Sequence, residues 1–222
     1  MRQIALDTET TGIGHEFGHR VIEIGCVELV NRQLTGRTFH TYLNPKRDVD
    51  PGAFKVHGIS DQFLKDKPEF KAIHPEFMQF IDNAELIIHN AVFDLGFLNA
   101  ELKHMNHSNQ IEDQCSVIDT LVMARKKYPG QRNSLDALCK RYDVDNTNRQ
   151  LHGALLDAQI LAQVYLAMTG GQTDLFGDVE MTESDVQTTQ VAESQLSSQS
   201  PIYYANADEL SRHQAFMQQF NK

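Results

Sequence analysis

The stretch Gln3-Ile4-Ala5-Leu6-Asp7-Thr8-Glu9, continued by Thr10-Thr11-Gly12, decides how the rest of the chain is read. Apolar Ile4 and Leu6 stand beside polar residues at strand-like density, which predicts a first strand over residues 3–9. Side chains alternate along a strand, so Asp7 and Glu9 point to one face and set two carboxylates side by side. Carboxylates that close repel, and each would hold its proton more tightly unless a cation lay between them. An arbitrary Asp-X-Glu is more often an exposed acidic pair at a strand end. Here the apolar run before Asp7 indicates a central strand, and ligands collect beyond the ends of such strands.

Working outward, residues 20–30 (RVIEIGCVELV) predict a second strand and residues 37–43 (RTFHTYL) a third, which Asn44-Pro45 stops. Short connections between them suggest an antiparallel meander. The pattern then changes. A helix is predicted over 74–83, followed by the apolar run Leu86-Ile87-Ile88, a long helix over 92–104 and a short apolar segment at Val117-Ile118. Further helices are predicted over 119–127, 134–141 and 154–168. Strand, helix, strand, helix implies parallel crossovers, so the fold class is α/β: a mixed five-stranded sheet flanked by helices.

The chain has 222 residues, of which 41% are hydrophobic and 23% charged, close to globular averages and enough for one sizeable core. Three cysteines without a CxxC spacing suggest neither a disulfide framework nor a thiolate zinc site. With no signal-peptide pattern at the amino terminus and no long apolar run, the expectation is a cytoplasmic protein with no membrane partner. The net charge of −10 excludes a strongly basic nucleic-acid coat protein, but it is unevenly spread. Residues 171–222 hold eight acidic and two basic residues, leaving −4 for the first 170. Composition also breaks at Gly170-Gly171. Residues 178–200 are rich in Glu, Ser, Thr and Gln and hold no Lys, Arg or aromatic residue, which predicts a flexible, disordered tether. Beyond Pro201 the apolar residues return as Tyr203, Tyr204, Leu210, Phe216, Met217 and Phe220, with Leu210, Met217 and Phe220 at spacings that share a helical face. A sticky segment after a tether suggests docking onto a partner.

Two more acids sit in apolar surroundings. Asp94, in HNAVFDLGFLNAEL, is crowded by Val92, Phe93, Leu95, Phe97 and Leu98, so it either caps a helix or is held for function. Asp157, in LHGALLDAQILAQVYLAM, lies on a helix apolar enough that a buried acid needs a partner, and a metal is one. His152 precedes it by five residues, about 140° away on a continuous helix. Both reach one place only if Gly153 breaks the helix and leaves His152 on a loop. Taken singly, His152 reads as a surface histidine. Together, four acids without a cysteine form an all-oxygen ligand set, which selects Mg²⁺ or Mn²⁺ over zinc. Two such ions about 4 Å apart serve phosphodiester cleavage, with a neutral histidine to take the proton of the attacking water.

The order LDTETTG, HNAVFD, HGALLD resembles the three motifs of the DEDDh group of 3′ to 5′ exonucleases, over residues 1–170. The tail extends the resemblance to the proofreading subunits of bacterial replicative polymerases, built as a nuclease domain, a linker and a polymerase-binding end. The resemblance implies a ribonuclease-H-like fold, with Asp7, Glu9 and Asp157 on the metal at the attacking water and Asp7 and Asp94 on a second. It implies His152 as general base, Thr8 and Thr10 flanking the metals, and His57 of VHGI, His89 and Phe93 against the terminal nucleotide of a single-stranded or frayed DNA 3′ end. Residues 171–177 contain QTDLF, which resembles a sliding-clamp-binding motif with Gln172 as anchor and Leu175 and Phe176 as apolar plugs. The expected organisation is a nuclease domain (1–170), a clamp motif (171–177), a linker (178–200) and a segment for the polymerase catalytic subunit (201–222). Whether a small stabilising subunit also binds is left open, as is DNA against RNA preference. An exoribonuclease of the same group, or a non-catalytic clamp–polymerase adaptor, are the rival readings.

Overall fold

The computed structural model describes residues 1–147, 149 and 151–170. The predictions for Gln172, Leu175, Phe176, Tyr203, Tyr204, Leu210, Phe216, Met217 and Phe220, and for the linker, lie outside the described residues. Within them, the elements are β1 (Arg2–Thr10), β2 (Val21–Val30), β3 (Gln33–Tyr42), α1 (Pro51–His57), α2 (Asp61–Leu64) and α3 (Phe70–Ile81). There follow β4 (Glu85–Ile88), α4 (Ala91–His104), β5 (Ser116–Asp119), α5 (Thr120–Lys127), α6 (Leu135–Tyr142) and α7 (Ala154–Thr169). The five strands form one sheet in the order β3-β2-β1-β4-β5. The first three run antiparallel as a meander, and β4 and β5 pair in parallel beyond β1, as the strand–helix alternation predicts. β1 is therefore central, with a neighbour on both sides.

The period of two in β1 divides the core into two layers. Ile4 and Leu6 face a cluster that includes Phe77, Ile81, Phe97 and Leu98 from α3 and α4. Ala5 faces the opposite cluster, with Leu138 from α6 and Leu161, Val164 and Tyr165 from α7. A smaller cluster of Ile22, Val49, Ile59 and Leu64 seats α1 and α2 beside the meander.

Several boundaries differ from the sequence-based expectation, each for a local reason. β3 starts at Gln33 rather than Arg37, because Asn31 and Arg32 both take left-handed backbone angles and close a two-residue hairpin turn. The exposed residues that begin the strand carry little apolar signal. α3 starts at Phe70, not His74, and carries Pro75 inside it; buried Phe70 and Phe77 fix its face. The segments α1 and α2 have no counterpart in the sequence reading, since helices of 7 and 4 residues are too short to show periodicity.

Candidate active site

Asp7 and Glu9 end β1 on the face covered by α7, and the strand bends just past them where its register against β2 shifts. Asp7 is partly accessible and Glu9 is 8% exposed. Asp157 comes down from the first turns of α7, whose amino-terminal flank is Gly153, and is 2% exposed. What brings that helix close enough is Gly25, the cross-strand neighbour of Asp7. A Cβ there would lie 2.2 Å from the backbone at Ala154 and Leu155, so only glycine admits the start of α7.

Asp94 arrives from the other layer. It lies in the first turn of α4 but caps nothing; the amino terminus of that helix is served by Asp119, which accepts from the N–H groups of Asn90 and Ala91. Asp94 Oδ1 accepts instead from the backbone N–H of Thr8 at 3.0 Å and from its hydroxyl at 2.7 Å. Thr8 points to the α4 side of β1 while Asp7 and Glu9 point to the α7 side, so the end of one strand gathers acids from both layers.

His152 stands outside α7, as the helical-wheel argument requires. Its backbone N–H donates to Val56 O at 3.1 Å, which ties this loop to α1, and its side chain is 45% exposed. Asp157, Asp7, Glu9, Asp94 and His152 all line one cleft of about 590 Å³ together with Thr8, His89, Phe93 and Arg125. Ligand atoms of Glu9, His152 and Asp157 lie within 4.8 Å of one another; Asp7 and Asp94 border that trio in the same cleft without belonging to it.

The electrostatics are those of a crowded acidic site. Burial, then the charges of Asp94, Asp157 and Glu9, holds the Asp7 carboxyl well above the usual carboxylate range. Glu9 is pushed up to about 8 by burial, with Asp157 and the cross-strand Glu23 adding to it. Asp94 rises to about 7 through burial, the Thr8 hydrogen bonds working against the rise. Burial and then the Arg149 charge lower the His152 pKa, which favours the neutral imidazole that a base needs. A set of oxygen donors that collectively resist losing their protons is one that a hard divalent cation suits, so the residues present fit the metals that the ligand chemistry implies.

A second, more apolar cleft of about 510 Å³ adjoins the first and shares Thr8, Glu9 and Phe93 with it. Thr10 and His57 line this one, with Ile13, Pro51, Ala53 and Val56. The Thr10 hydroxyl donates to Gly12 O at 2.8 Å and so braces the turn after β1. His57 Nδ1 accepts from the Ile59 N–H at 3.0 Å, which leaves its proton on Nε2, a buried atom without a partner among the described residues. His89, across the first cleft, contacts the Thr120 hydroxyl through Nδ1 at 2.9 Å.

Two residues that act on the site, one lining the cleft and one behind Glu9, escaped the sequence reading. Arg149 donates a bidentate pair of hydrogen bonds to Asp157 at 2.5 and 2.7 Å, so the partner that the buried acid needs is, in this arrangement, a guanidinium. Glu23, buried and bound to His40 at 2.7 Å, sits opposite Glu9. Its sequence context, IEIG, gave the only available signal: an acid inside an apolar strand.

Residues 4–165 match the model of the RNase T exonuclease family. DNA polymerase III subunit epsilon of Haemophilus influenzae is 50% identical over 233 residues, covering 100% of this chain and 91% of the relative. The protein of that name from Escherichia coli K12 is 51% identical over 223 residues, covering 96% and 91%. The chain belongs to the exonuclease family, among the polymerase III epsilon subunits. Membership makes it a 3′ to 5′ exonuclease. Among solved structures of the wider family, exonuclease X in complex with 5′ overhanging duplex DNA matches with a TM-score of 0.58 at 26% identity, covering 76% of this chain and 90% of that one. No helix among the described residues is long and apolar enough to cross a membrane.

Proposed function

We propose that this exonuclease proofreads for a bacterial replicative polymerase in the cytoplasm, removing mispaired 3′-terminal nucleotides as 5′-monophosphates. The observation that carries the reading is the convergence of Asp7, Glu9, Asp94, Asp157 and His152 in one cleft at the end of β1, in a chain alike over nearly its full length to polymerase III epsilon subunits. Asp7, Glu9 and Asp157 would hold one divalent cation and Asp7 with Asp94 a second. When bound, such ions polarise the scissile phosphodiester and lower the pKa of the attacking water.

The chain's own residues supply the rest. His152, exposed at the lip of the cleft, takes the proton of that water. Thr8 keeps Asp94 turned into the site through its two hydrogen bonds. The apolar second cleft receives an unstacked terminal base, and the His57 Nε2–H offers it or its sugar a donor. Phe93, which lines both clefts, packs against that nucleotide, and His89, which lines the first cleft, contacts it from there. A site reached by an unpaired end favours frayed termini, which mismatches produce. The sequence further supports docking of Gln172, Leu175 and Phe176 on the sliding clamp, and of residues 201–222 on the polymerase catalytic subunit.

The reading is tested by product analysis on an end-labelled single-stranded DNA. Stepwise shortening from the 3′ end with release of 5′-mononucleotides, present with Mg²⁺, absent with EDTA and lost in Asp7→Ala, is expected. Shortening from the 5′ end, or activity that survives Asp7→Ala, would contradict it.

A further inference from the structure

Arg149 lines the same cleft, and the proposed reaction assigns it no step. Its side chain is 7% exposed and holds three partners at once. Nε and Nη2 donate to the two oxygens of Asp157 at 2.5 and 2.7 Å, Nη1 donates to Asp136 Oδ1 at 2.7 Å, and Nη2 lies 3.0 Å from His152 Nδ1. A guanidinium only donates, so the Nδ1 lone pair of His152 is engaged in that contact. One side chain thus binds both oxygens of a proposed metal ligand and a lone pair of the proposed base.

We propose that Arg149 is the resident counter-ion of the cation-free site: it must release Asp157 and His152 for a divalent cation to bind, and Asp136 retains it when it does. The inference rests on the metal-dependent reading above. Its physical basis is competition. Glu9, His152 and Asp157 offer ligand atoms within 4.8 Å of one another, and a permanently charged guanidinium already occupies two of those three residues. A dication and the guanidinium cannot both take the same carboxylate edge without close like-charge contact. The release has somewhere to go. Asp136, half exposed at the first turn of α6, lines the same cleft and binds Nη1 independently of the Asp157 fork. A further small cavity of about 230 Å³, which Arg149 lines together with Asp145, Asn146, Leu156 and Gln159, leaves it room. The backbone is meanwhile held, by Arg149 N–H to Asn146 O at 3.0 Å and His152 N–H to Val56 O at 3.1 Å, so the change is one of the side chain. The device keeps the acids partly neutralised without metal, and it makes the lone pair of His152 available only once cations arrive.

The test is calorimetric titration of Mn²⁺ into the full chain and into its Arg149→Met and Arg149→Lys variants, with thermal denaturation in EDTA beside it. Methionine removes the competitor, so Mn²⁺ should bind at least about tenfold more tightly, since a buried ion pair no longer has to be broken. Lysine keeps the charge but cannot span both carboxylate oxygens, so it too should bind Mn²⁺ more tightly than the parent. Both variants should melt at lower temperature in EDTA. If Met misfolds, the Lys variant carries the test. Variants that bind Mn²⁺ as the parent does, or more weakly, would overturn the proposal, as would a gain in Met with none in Lys, which would reduce the effect to net charge. A parent chain that binds no Mn²⁺ would overturn the metal-dependent reading as well, whereas parent binding without a gain in the variants removes only the role of Arg149.

Discussion

Thr8 holds Asp94 through its N–H and its hydroxyl, and only the second can be removed by substitution. If Asp94 is a metal ligand as proposed, Thr8→Val should lower the turnover rate by about 10- to 100-fold, the usual effect of losing a partner behind such a ligand, while leaving the melting temperature nearly unchanged. Steady-state kinetics beside a thermal melt checks it; an unaltered rate would mean that the backbone N–H alone positions Asp94. The pKa values give a second prediction at this scale. Glu9 titrates at about 8 and Asp94 at about 7 in the folded protein, against ordinary values of 4.5 and 3.8. The folded chain thus keeps protons that the unfolded chain gives up, and metal-free stability should fall as pH rises from about 4 to about 8. Melting in EDTA should drop across that window by several degrees, a domain of this size shifting about 2–4 °C per kcal/mol, and Glu9→Gln should flatten its upper part. Asp7, Glu9, Asp94 and Asp157 were legible because a carboxylate among apolar neighbours is conspicuous. Arg149 was not, since it lies in the polar segment DNTNRQ, where nothing local tells an arginine that reaches a buried acid from one in solvent.

At the scale of elements, the site depends on two packing contacts. Gly25 lets the start of α7 touch β2, and a methyl group there would meet backbone that cannot turn aside. Gly25→Ala should cost about 1–3 kcal/mol, as overpacked positions do, and should also displace Asp157 and depress the rate, which a thermal melt and an exonuclease assay would register together. The other contact is the bond from His152 N–H to Val56 O, which fixes the loop between α6 and α7 against α1. The long elements followed from the sequence: β1 and β2 from their apolar runs, α4 and α7 from length, and the helix break at Gly153 from the need to bring His152 and Asp157 together. The elements that escaped are short or exposed. α1 and α2 are stabilised by Ile22, Val49, Ile59 and Leu64, contacts that form only once the sheet exists, so no local pattern announces them. The hairpin at Asn31-Arg32 extends into exposed residues for the same reason. The apolar second cleft was legible only as individual residues, Thr10, His57 and Phe93, because its wall is built by α1.

At the scale of the whole molecule, the proposed division is a nuclease domain followed by a tail that would deliver it to its partner. Removing residues 201–222 should leave the exonuclease rate on free DNA unchanged and abolish co-elution with the polymerase catalytic subunit; retained co-elution would place the docking surface elsewhere. The negative net charge of the chain agrees with this division, since more than half of it falls in residues 171–222. Such delivery by a partner would also lessen the need for the basic surface that a free-standing DNA-binding enzyme uses for affinity. In the proposed function this cleft removes mispaired 3′ ends with Asp7 and His152 at work. The most direct measurement is the single-turnover rate with Mg²⁺ on two primer–templates that differ only in a matched or mismatched 3′ terminus, repeated with Asp7→Ala and His152→Ala. Faster removal of the mismatched nucleotide is expected, with the rate falling by about 100-fold or more in both variants. Equal rates on the two ends, or a His152→Ala enzyme as fast as the parent, would contradict it.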